Sequence, residues 1–440
     1  MSLFGTDGVR GRANALLTPE LAVRLARAAA HRLARPGGRA IIGRDTRTSG
    51  PMIEASLASG LASAGIDVYL AGVIPTPAIS FLIKDERADL GAVVSASHNP
   101  PGDNGIKLFD ARGMKLTIEE ERSIEAALAD DLPAAERVGT IVGLEAAAAS
   151  YAAFLSGTID VEEIDLSSHT IVVDCAFGAT GKIAPHVLRH LGAKVIELHT
   201  EPDGARINVD CGSTHLEAVR AAVADHSADL GIAFDGDGDR VLLVTRSGRT
   251  IDGDQMMGIV ALHMLRKGTL SPAIVVATVM SNLGLEKGLA DRGIGLVRTP
   301  VGDRNVSQAV VAHKAQLGGE QSGHIIFADH SPTGDGILTA VKLLEVSHEA
   351  AADLGTLADE IPLLPQIHRN IQHERPAEAL DRAPVRKAID DARGSLGERG
   401  RVIVRPSGTQ PVIRLTVEAV DERLCEEVVS RLEEAISLSL

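Results

Sequence analysis

Tryptophan is missing from all 440 residues, and aromatic side chains make up only 2% of them. Without rings to stack on, neither an aromatic sugar platform nor a base-stacking nucleic-acid surface is expected. Cysteine is scarce, and Cys175, Cys211 and Cys425 lie far apart with no CxxC pairing. That spacing predicts neither a disulfide framework nor a zinc knuckle, and it fits a reducing compartment. Positive charge is short as well: 44 Lys and Arg stand against 59 Asp and Glu, a net charge of −15, so no nucleic-acid partner is expected. Long apolar runs are lacking too. The uncharged stretch Val68–Ile83 is broken by Pro75 and Pro77, and no basic segment precedes an apolar core at the N-terminus. The expectation is a cytoplasmic protein with no membrane partner and no secretory signal.

What is present is an ordinary globular composition, 45% hydrophobic and 23% charged, with glycine frequent at 44 residues. The length implies several domains. Three successive stretches share a rhythm in which a short apolar strand delivers a polar loop, and a smaller, differently patterned tail follows. This predicts an α/β protein of three similar domains with mixed sheets plus a smaller C-terminal α+β domain, arranged around a central cleft. The expected bounds are 1–149, 150–250, 251–363 and 364–440. Thr18-Pro19 reads as a helix start, and Thr117 with Glu120 has capping-box spacing.

The loops carry the chemistry. Leu90–Val94 reads as a buried strand running into Ser95-Ala96-Ser97-His98-Asn99-Pro100 and a cluster of turn residues. A hydroxyl at Ser97 is thus lifted off a strand end, where α/β proteins place catalytic groups. Serine in such a loop is more often a turn residue or cap, so Ser97 gains weight only from the other loops. Asp235, Asp237 and Asp239 alternate with glycine after another apolar strand, which lets a bent backbone aim three carboxylates at one point. Such a hard-oxygen set suits Mg²⁺. An EF-hand opens in the same way, but Arg240 and Arg246 stand where that loop requires Gly and Glu. A plain acidic turn is the alternative.

Three carboxylates beside a phosphorylated serine need cations, and Arg240, Lys107 and Arg10 are the candidates. Arg10 belongs to the glycine-dense opening Phe4–Gly11, for which a floppy terminus is the competing interpretation. In the tail, Arg405-Pro406-Ser407-Gly408-Thr409 with Arg414 offers an anion cup of guanidinium, hydroxyl and backbone N–H groups; a tight β-turn is its alternative. Glu320 and Ser322 are groups of the kind that hold sugar hydroxyls. His324 is either a proton carrier or a packed strand residue, and His98 flanks the serine directly. Together these loops describe phosphoryl transfer on a phosphosugar.

Taken in order, the motifs resemble those of the α-D-phosphohexomutases. Ser95–Pro100 is similar to the family's phosphoserine loop and Asp235–Arg240 to its metal loop. Gly319–His324 resembles its sugar loop, and Arg405–Thr409 its phosphate loop. The opening FGTDGVRG and Val301-Gly302-Asp303-Arg304 are of the glucosamine type rather than the phosphomannomutase/phosphoglucomutase type. The resemblance implies that Ser97 carries a phosphoryl group, ligating one Mg²⁺ together with Asp235, Asp237 and Asp239. It implies exchange between glucosamine 6-phosphate and glucosamine 1-phosphate through a 1,6-bisphosphate, feeding UDP-N-acetylglucosamine and cell-wall precursors. Glucose or glucosamine 1,6-bisphosphate is then the priming donor; relatives often form a homodimer, and the sequence itself does not decide between monomer and homodimer. Glu320, Ser322, Arg405, Ser407, Gly408, Thr409 and Arg414 become substrate-binding residues. Lys107 and His324 are the candidate general bases, Lys107 preferred on the expectation that its surroundings lower its pKa. Arg10, His98 and Arg240 complete the catalytic set. The rivals are a phosphomannomutase/phosphoglucomutase and a non-catalytic sugar-phosphate sensor. Two positions depart from the family pattern: Gln410 stands where relatives usually carry Glu, and Asn305 where many carry Tyr.

Overall fold

The computed structural model describes residues 3–5, 7–130, 132–159, 164–407 and 411–437. They form two compact units, Met1–Met280 with Ile294–Asp359, and Ser281–Gly293 with Glu360–Leu440.

The first unit contains three mixed sheets. In the first, the strands lie in the order Val9–Arg12, Asp103–Asp110, Leu90–Val94, Arg39–Arg44, Asp67–Val73, Ile141–Gly143. The last four run parallel, and Asp103–Asp110 turns back antiparallel against Leu90–Val94. The second sheet runs Thr250–Ile251, Val241–Thr245, Leu230–Phe234, Thr170–Asp174, Lys194–Leu198. The third runs Gly295–Thr299, Ile274–Thr278, Leu317–Gly319, Ile325–Phe327. Both repeat the first design, in which the last parallel strand folds back into an antiparallel neighbour, Val241–Thr245 or Ile325–Phe327. Every residue of Leu90–Val94 and of Leu230–Phe234 is buried, which is why these strands read as unbroken apolar runs.

Local signals hold where the sequence places them. The Thr18 hydroxyl accepts the Leu21 N–H at 3.3 Å, with Pro19 opening the helix Pro19–Leu33. Thr117 and Glu120 complete both halves of a capping box on Ile118–Ala127. Within the opening segment Val9–Arg12 is a strand whose Val9 pairs with Ile106. Among the described residues no helix is long and apolar enough to cross a membrane.

The second unit is a three-stranded antiparallel sheet, ordered Gln366–Gln372, Val412–Ala419, Gly400–Pro406. The helices Ala383–Leu396 and Glu422–Ser437 cover it and enclose a core that includes Val385, Val417, Val428 and Leu432. The helix Leu283–Ala290 also belongs here. The Asn282 amide before it exchanges hydrogen bonds with the Leu364 backbone at 2.9 and 3.0 Å, and Leu283 N–H donates to Glu418.

Candidate active site

Each motif loop occupies the same place in its sheet. The serine loop connects Leu90–Val94 to Asp103–Asp110, the aspartate loop connects Leu230–Phe234 to Val241–Thr245, and the GEQSGH loop connects Leu317–Gly319 to Ile325–Phe327. All three are therefore hairpin turns at the C-terminal end of the last parallel strand, where open sheets hold their ligands.

The structure brings the first two loops into contact. Ser97 is fully buried with φ +53°, and its Oγ donates to Asp235 Oδ2 at 2.5 Å. Asp235, Asp237 and Asp239 are buried, each with a carboxylate oxygen within 4.8 Å of the others'. The hydroxyl and amide of Thr76 hold Asp237 from the start of helix Thr76–Asp85, whose positive end favours a carboxylate. Burial, reinforced by Asp239 and Asp237, pushes the Asp235 carboxyl well above the usual range. Among the described residues Asp237 Oδ1 and Asp239 Oδ1 are buried and accept no hydrogen bond. Converging, unsatisfied carboxylate oxygens of this kind fit a hard divalent cation such as Mg²⁺.

Cations surround the cluster. Lys107 Nζ, 1% exposed, lies 2.7 Å from Asp237 Oδ2, 3.1 Å from Asp7 Oδ2 and 3.4 Å from Asp239 Oδ2. Burial alone lowers its pKa, but these three carboxylates carry it well above the ordinary lysine value. This corrects the expectation of a lowered lysine pKa: the neighbours that decide it are acids, not cations. Arg10 pairs with Asp7 and reaches Ala96 O at 3.3 Å. Arg240 donates its N–H to Asp235 Oδ1 at 3.2 Å, and its Nε lies 3.7 Å from Asp239 Oδ1. The His98 ring lies 3.4 Å from Ser97 Oγ, and burial together with Arg240 and Arg10 lowers its pKa to about 4, so it stays neutral near pH 7.

His324 belongs to the cluster rather than merely to its strand. Its Nδ1 lies 3.7 Å from Asp239 Oδ2, while its Nε2 accepts the Gly334 N–H at 3.0 Å. Burial lowers its pKa and Asp239 more than offsets this. The occupied Nε2 in turn favours the Nδ1–H tautomer. In the same loop Glu320 is nearly buried and accepts the Gly302 N–H at 3.1 Å, and Ser322 is half-buried.

Several groups at this site were not singled out from sequence. Asp7 links Lys107, Lys115 and Arg10, and Asp303 pairs with Lys115 within reach of Asp239 and His324. Asp45 and Arg47 brace the serine loop, as does Asn208. Asp45 and Arg47 stand in Gly43–Gly50, a further polar loop following a strand, and that repeated pattern was the available signal.

Within the C-terminal unit Gly400–Pro406 pairs antiparallel with Val412–Ala419. Arg405 stands directly opposite Arg414, and Ser407 N–H donates to Val412 O at 2.9 Å. Burial and the facing Arg414 both lower the Arg405 pKa, so this pair favours an anion between them. Gly408, Thr409 and the divergent Gln410 lie outside the described residues. Asn305 donates its side-chain N–H to Val301 O at 2.9 Å.

Family models for phosphoglucomutase/phosphomannomutase alpha/beta/alpha domains I, II and III match residues 1–134, 149–248 and 252–363, and the C-terminal domain model matches 370–435. The chain belongs to this family. A phosphoglucosamine mutase of Pelotomaculum thermopropionicum is 48% identical over 437 residues, covering 98% of both chains. Among solved structures, a phosphoglucomutase/phosphomannomutase family protein from Burkholderia thailandensis superposes with a TM-score of 0.84 at 26% identity, over 100% of this chain and 97% of that one. The N-acetylphosphoglucosamine mutase of Aspergillus fumigatus, solved with GlcNAc-6P and magnesium, shares the fold with a TM-score of 0.71 at 17% identity, over 99% and 95%. As a phosphohexomutase of the phosphoglucosamine mutase type, the protein is an intramolecular phosphotransferase of the isomerase class.

Proposed function

We propose that this phosphohexomutase interconverts glucosamine 6-phosphate and glucosamine 1-phosphate through a phosphorylated Ser97. The observation that carries this reading is the 2.5 Å bond between Ser97 Oγ and Asp235, inside a buried set of three converging carboxylates. The phosphoryl group leaves Ser97 Oγ as the Oγ–P bond breaks and a bond to sugar O1 forms. The O1 proton ends on the freed Ser97 Oγ, and a 1,6-bisphosphate results. After the bisphosphate turns around, the phosphoryl group on O6 returns to Ser97 Oγ. The proton that Ser97 Oγ gives up ends on O6, and glucosamine 1-phosphate is released.

Asp235, Asp237 and Asp239, with an oxygen on Ser97, would hold one Mg²⁺, which supplies Lewis-acid neutralisation of phosphoryl charge when bound. Lys107, Arg10 and Arg240 offset the rest of the negative charge. A loose phosphoryl transition state depends mainly on such positioning and charge compensation, so a charged Lys107 fits this role better than that of a base. Glu320 and Ser322 take sugar hydroxyls. Arg405 and Arg414, with Ser407, Gly408 and Thr409, grip the phosphate that is not being transferred.

Glucose or glucosamine 1,6-bisphosphate primes Ser97; a related Aspergillus fumigatus mutase structure holds glucose 1,6-bisphosphate. The product belongs to cytoplasmic synthesis of UDP-N-acetylglucosamine and cell-wall precursors. The test is kcat/KM on glucosamine, glucose and mannose 6-phosphates, together with the intact mass of the purified chain. Glucosamine 6-phosphate should lead and the chain should carry one phosphate. A lead for mannose or glucose would make it a phosphomannomutase/phosphoglucomutase, and a chain that never takes up phosphate would remove Ser97 from the reaction.

A further inference from the structure

Two side chains that the reaction does not use converge on one atom of the nucleophile residue. Arg47, fully buried, employs all five of its N–H donors. Its Nε donates to Asp45 Oδ2 at 2.9 Å, one terminal nitrogen to the carbonyls of Pro100 and Asp103, and the other to Ser97 O at 2.9 Å and Asn99 O at 2.8 Å. Asn208 reaches the same carbonyl from the second sheet's side: its Nδ2 donates to Ser97 O at 2.8 Å and to Asn99 O at 3.3 Å. That nitrogen also lies against the aspartate loop, since a Cβ added to Gly236 would fall 2.8 Å from it. The other end of Ser97 is held as well. Its N–H donates to Ser95 Oγ at 2.9 Å, and Ser95 Oγ donates to Asp45 Oδ2 at 2.6 Å.

This restraint acts on a strained residue. Ser97 sits at φ +53°, a left-handed conformation that is strained for a non-glycine residue and persists only when the surroundings impose it. The same conformation puts Oγ against Asp235. We propose that Asn208 and Arg47 are positioning residues: by gripping the Ser97 carbonyl together they hold the left-handed backbone, and Asn208 sets the register between the serine and aspartate loops. This rests on Ser97 being the phosphoryl carrier.

Asn208→Gly is the informative variant. Asn208 has φ +61°, which glycine adopts without strain, so the change removes the donor and leaves the backbone undisturbed. The measurements are kcat, KM, the thermal midpoint, and phosphate on the chain after incubation with glucose 1,6-bisphosphate. Because a displacement of about 1 Å can cost about 100-fold in rate, kcat should fall about 10- to 100-fold while KM stays within about twofold. Asn208→Asp has the same shape and tolerates the same φ, yet turns a carboxylate oxygen toward the Ser97 carbonyl; its kcat should fall at least as far. If Asn208 merely filled space, Asn208→Asp would match the wild type. Arg47→Lys, which keeps the charge and loses the fork, should repeat the kcat loss at unchanged KM, and serves if Asn208→Gly does not fold. A kcat within twofold of wild type in the Asn208 variants, or a loss confined to KM, overturns the inference. If the wild-type chain never accepts phosphate, the reading of Ser97 fails beneath it; if it does and Asn208→Gly is fully active, only the positioning role fails.

Discussion

Ser97 Oγ and Asp235 Oδ2, 138 residues apart in the chain, meet at 2.5 Å with both residues fully buried. The hydroxyl at the end of one sheet therefore shares a site with the carboxylates at the end of the next. Ser97→Ala removes the only oxygen on that side chain able to carry a phosphoryl group, and it deletes one hydrogen bond without opening a large cavity. Interconversion should fall to a trace, and the chain should no longer gain a phosphate in the mass spectrum while keeping its fold by circular dichroism. Asp237→Asn should lose activity and magnesium dependence together. An unchanged magnesium titration in that variant would remove Asp237 from the metal site.

The orphaned oxygens of Asp237 and Asp239 make a second expectation quantitative. A cation that binds only the folded chain stabilises it by about 2.7 kcal/mol at a hundredfold excess over its dissociation constant. Magnesium should therefore raise the wild-type thermal midpoint, and a chelator should reverse the rise. Lys107→Met removes the buried cation that three carboxylates share, and breaking such a pair costs about 3–5 kcal/mol. The variant should melt earlier, and magnesium should raise its midpoint further than that of the wild type because Lys107 no longer competes for Asp237 Oδ2. Equal magnesium shifts in the two proteins would mean that the ion binds elsewhere.

Which of these groups could be read from the sequence follows from how far each depends on distant partners. Leu90–Val94 and Leu230–Phe234 announce themselves as apolar runs ended by polar turns, and the alternation of Asp with Gly at 235–239 already implies converging carboxylates. Residue type and spacing suffice there. Arg47 and Asn208 look like ordinary loop residues, because only the folded chain buries the first and brings the second, from the turn after Lys194–Leu198, to Ser97. Lys107 shows the same limit in its chemistry. The direction of its pKa depends on Asp7, Asp237 and Asp239, two of them more than a hundred residues away. Nor could chain order reveal that Leu283–Ala290 packs with the C-terminal unit, since Leu364 and Glu418 decide it.

Asp335 gives a pH signature of its own, outside the three aspartates of the cluster. It caps the helix Gly336–Glu349 by accepting the Leu338 N–H at 2.9 Å, and it accepts the Tyr151 hydroxyl at 2.7 Å. Burial pushes its carboxyl up to about 6, against the pull of those hydrogen bonds. The unfolded chain releases this proton near pH 3.9, so between about pH 4 and about 6 the native state binds more protons and stability falls as pH rises. The rise from about 4 to about 6 corresponds to about 3 kcal/mol. Asp335→Asn keeps the shape and one of the two acceptor oxygens without the titration. Its stability relative to wild type, from denaturant melts, should grow from pH 4 to pH 6 and then level off. Parallel profiles would show that Asp335 does not titrate in that window.

Gly323 is where the sugar loop crosses the strand that leaves the aspartate loop. Its carbonyl accepts the Val241 N–H at 3.2 Å, and its φ is +89°. A Cβ here would fall 1.9 Å from Val241 O and 2.8 Å from Val241 C, so the obstruction is backbone and no rotamer change relieves it. Gly323→Ala must either shift the strand Val241–Thr245 or swing Glu320 and Ser322 away. Clash and left-handed strain together should cost about 3 kcal/mol or more, a loss reserved for sites where the backbone itself has to move. Gly143→Ala is the matched control: nothing lies within 4 Å of its Cβ, so its effect should stay within about 0.5 kcal/mol. Denaturant midpoints for the two variants decide the matter. If Gly323→Ala proves as stable as Gly143→Ala, the sugar and aspartate loops are not locked together at this crossing, and Glu320 is free to move independently of Asp235–Asp239.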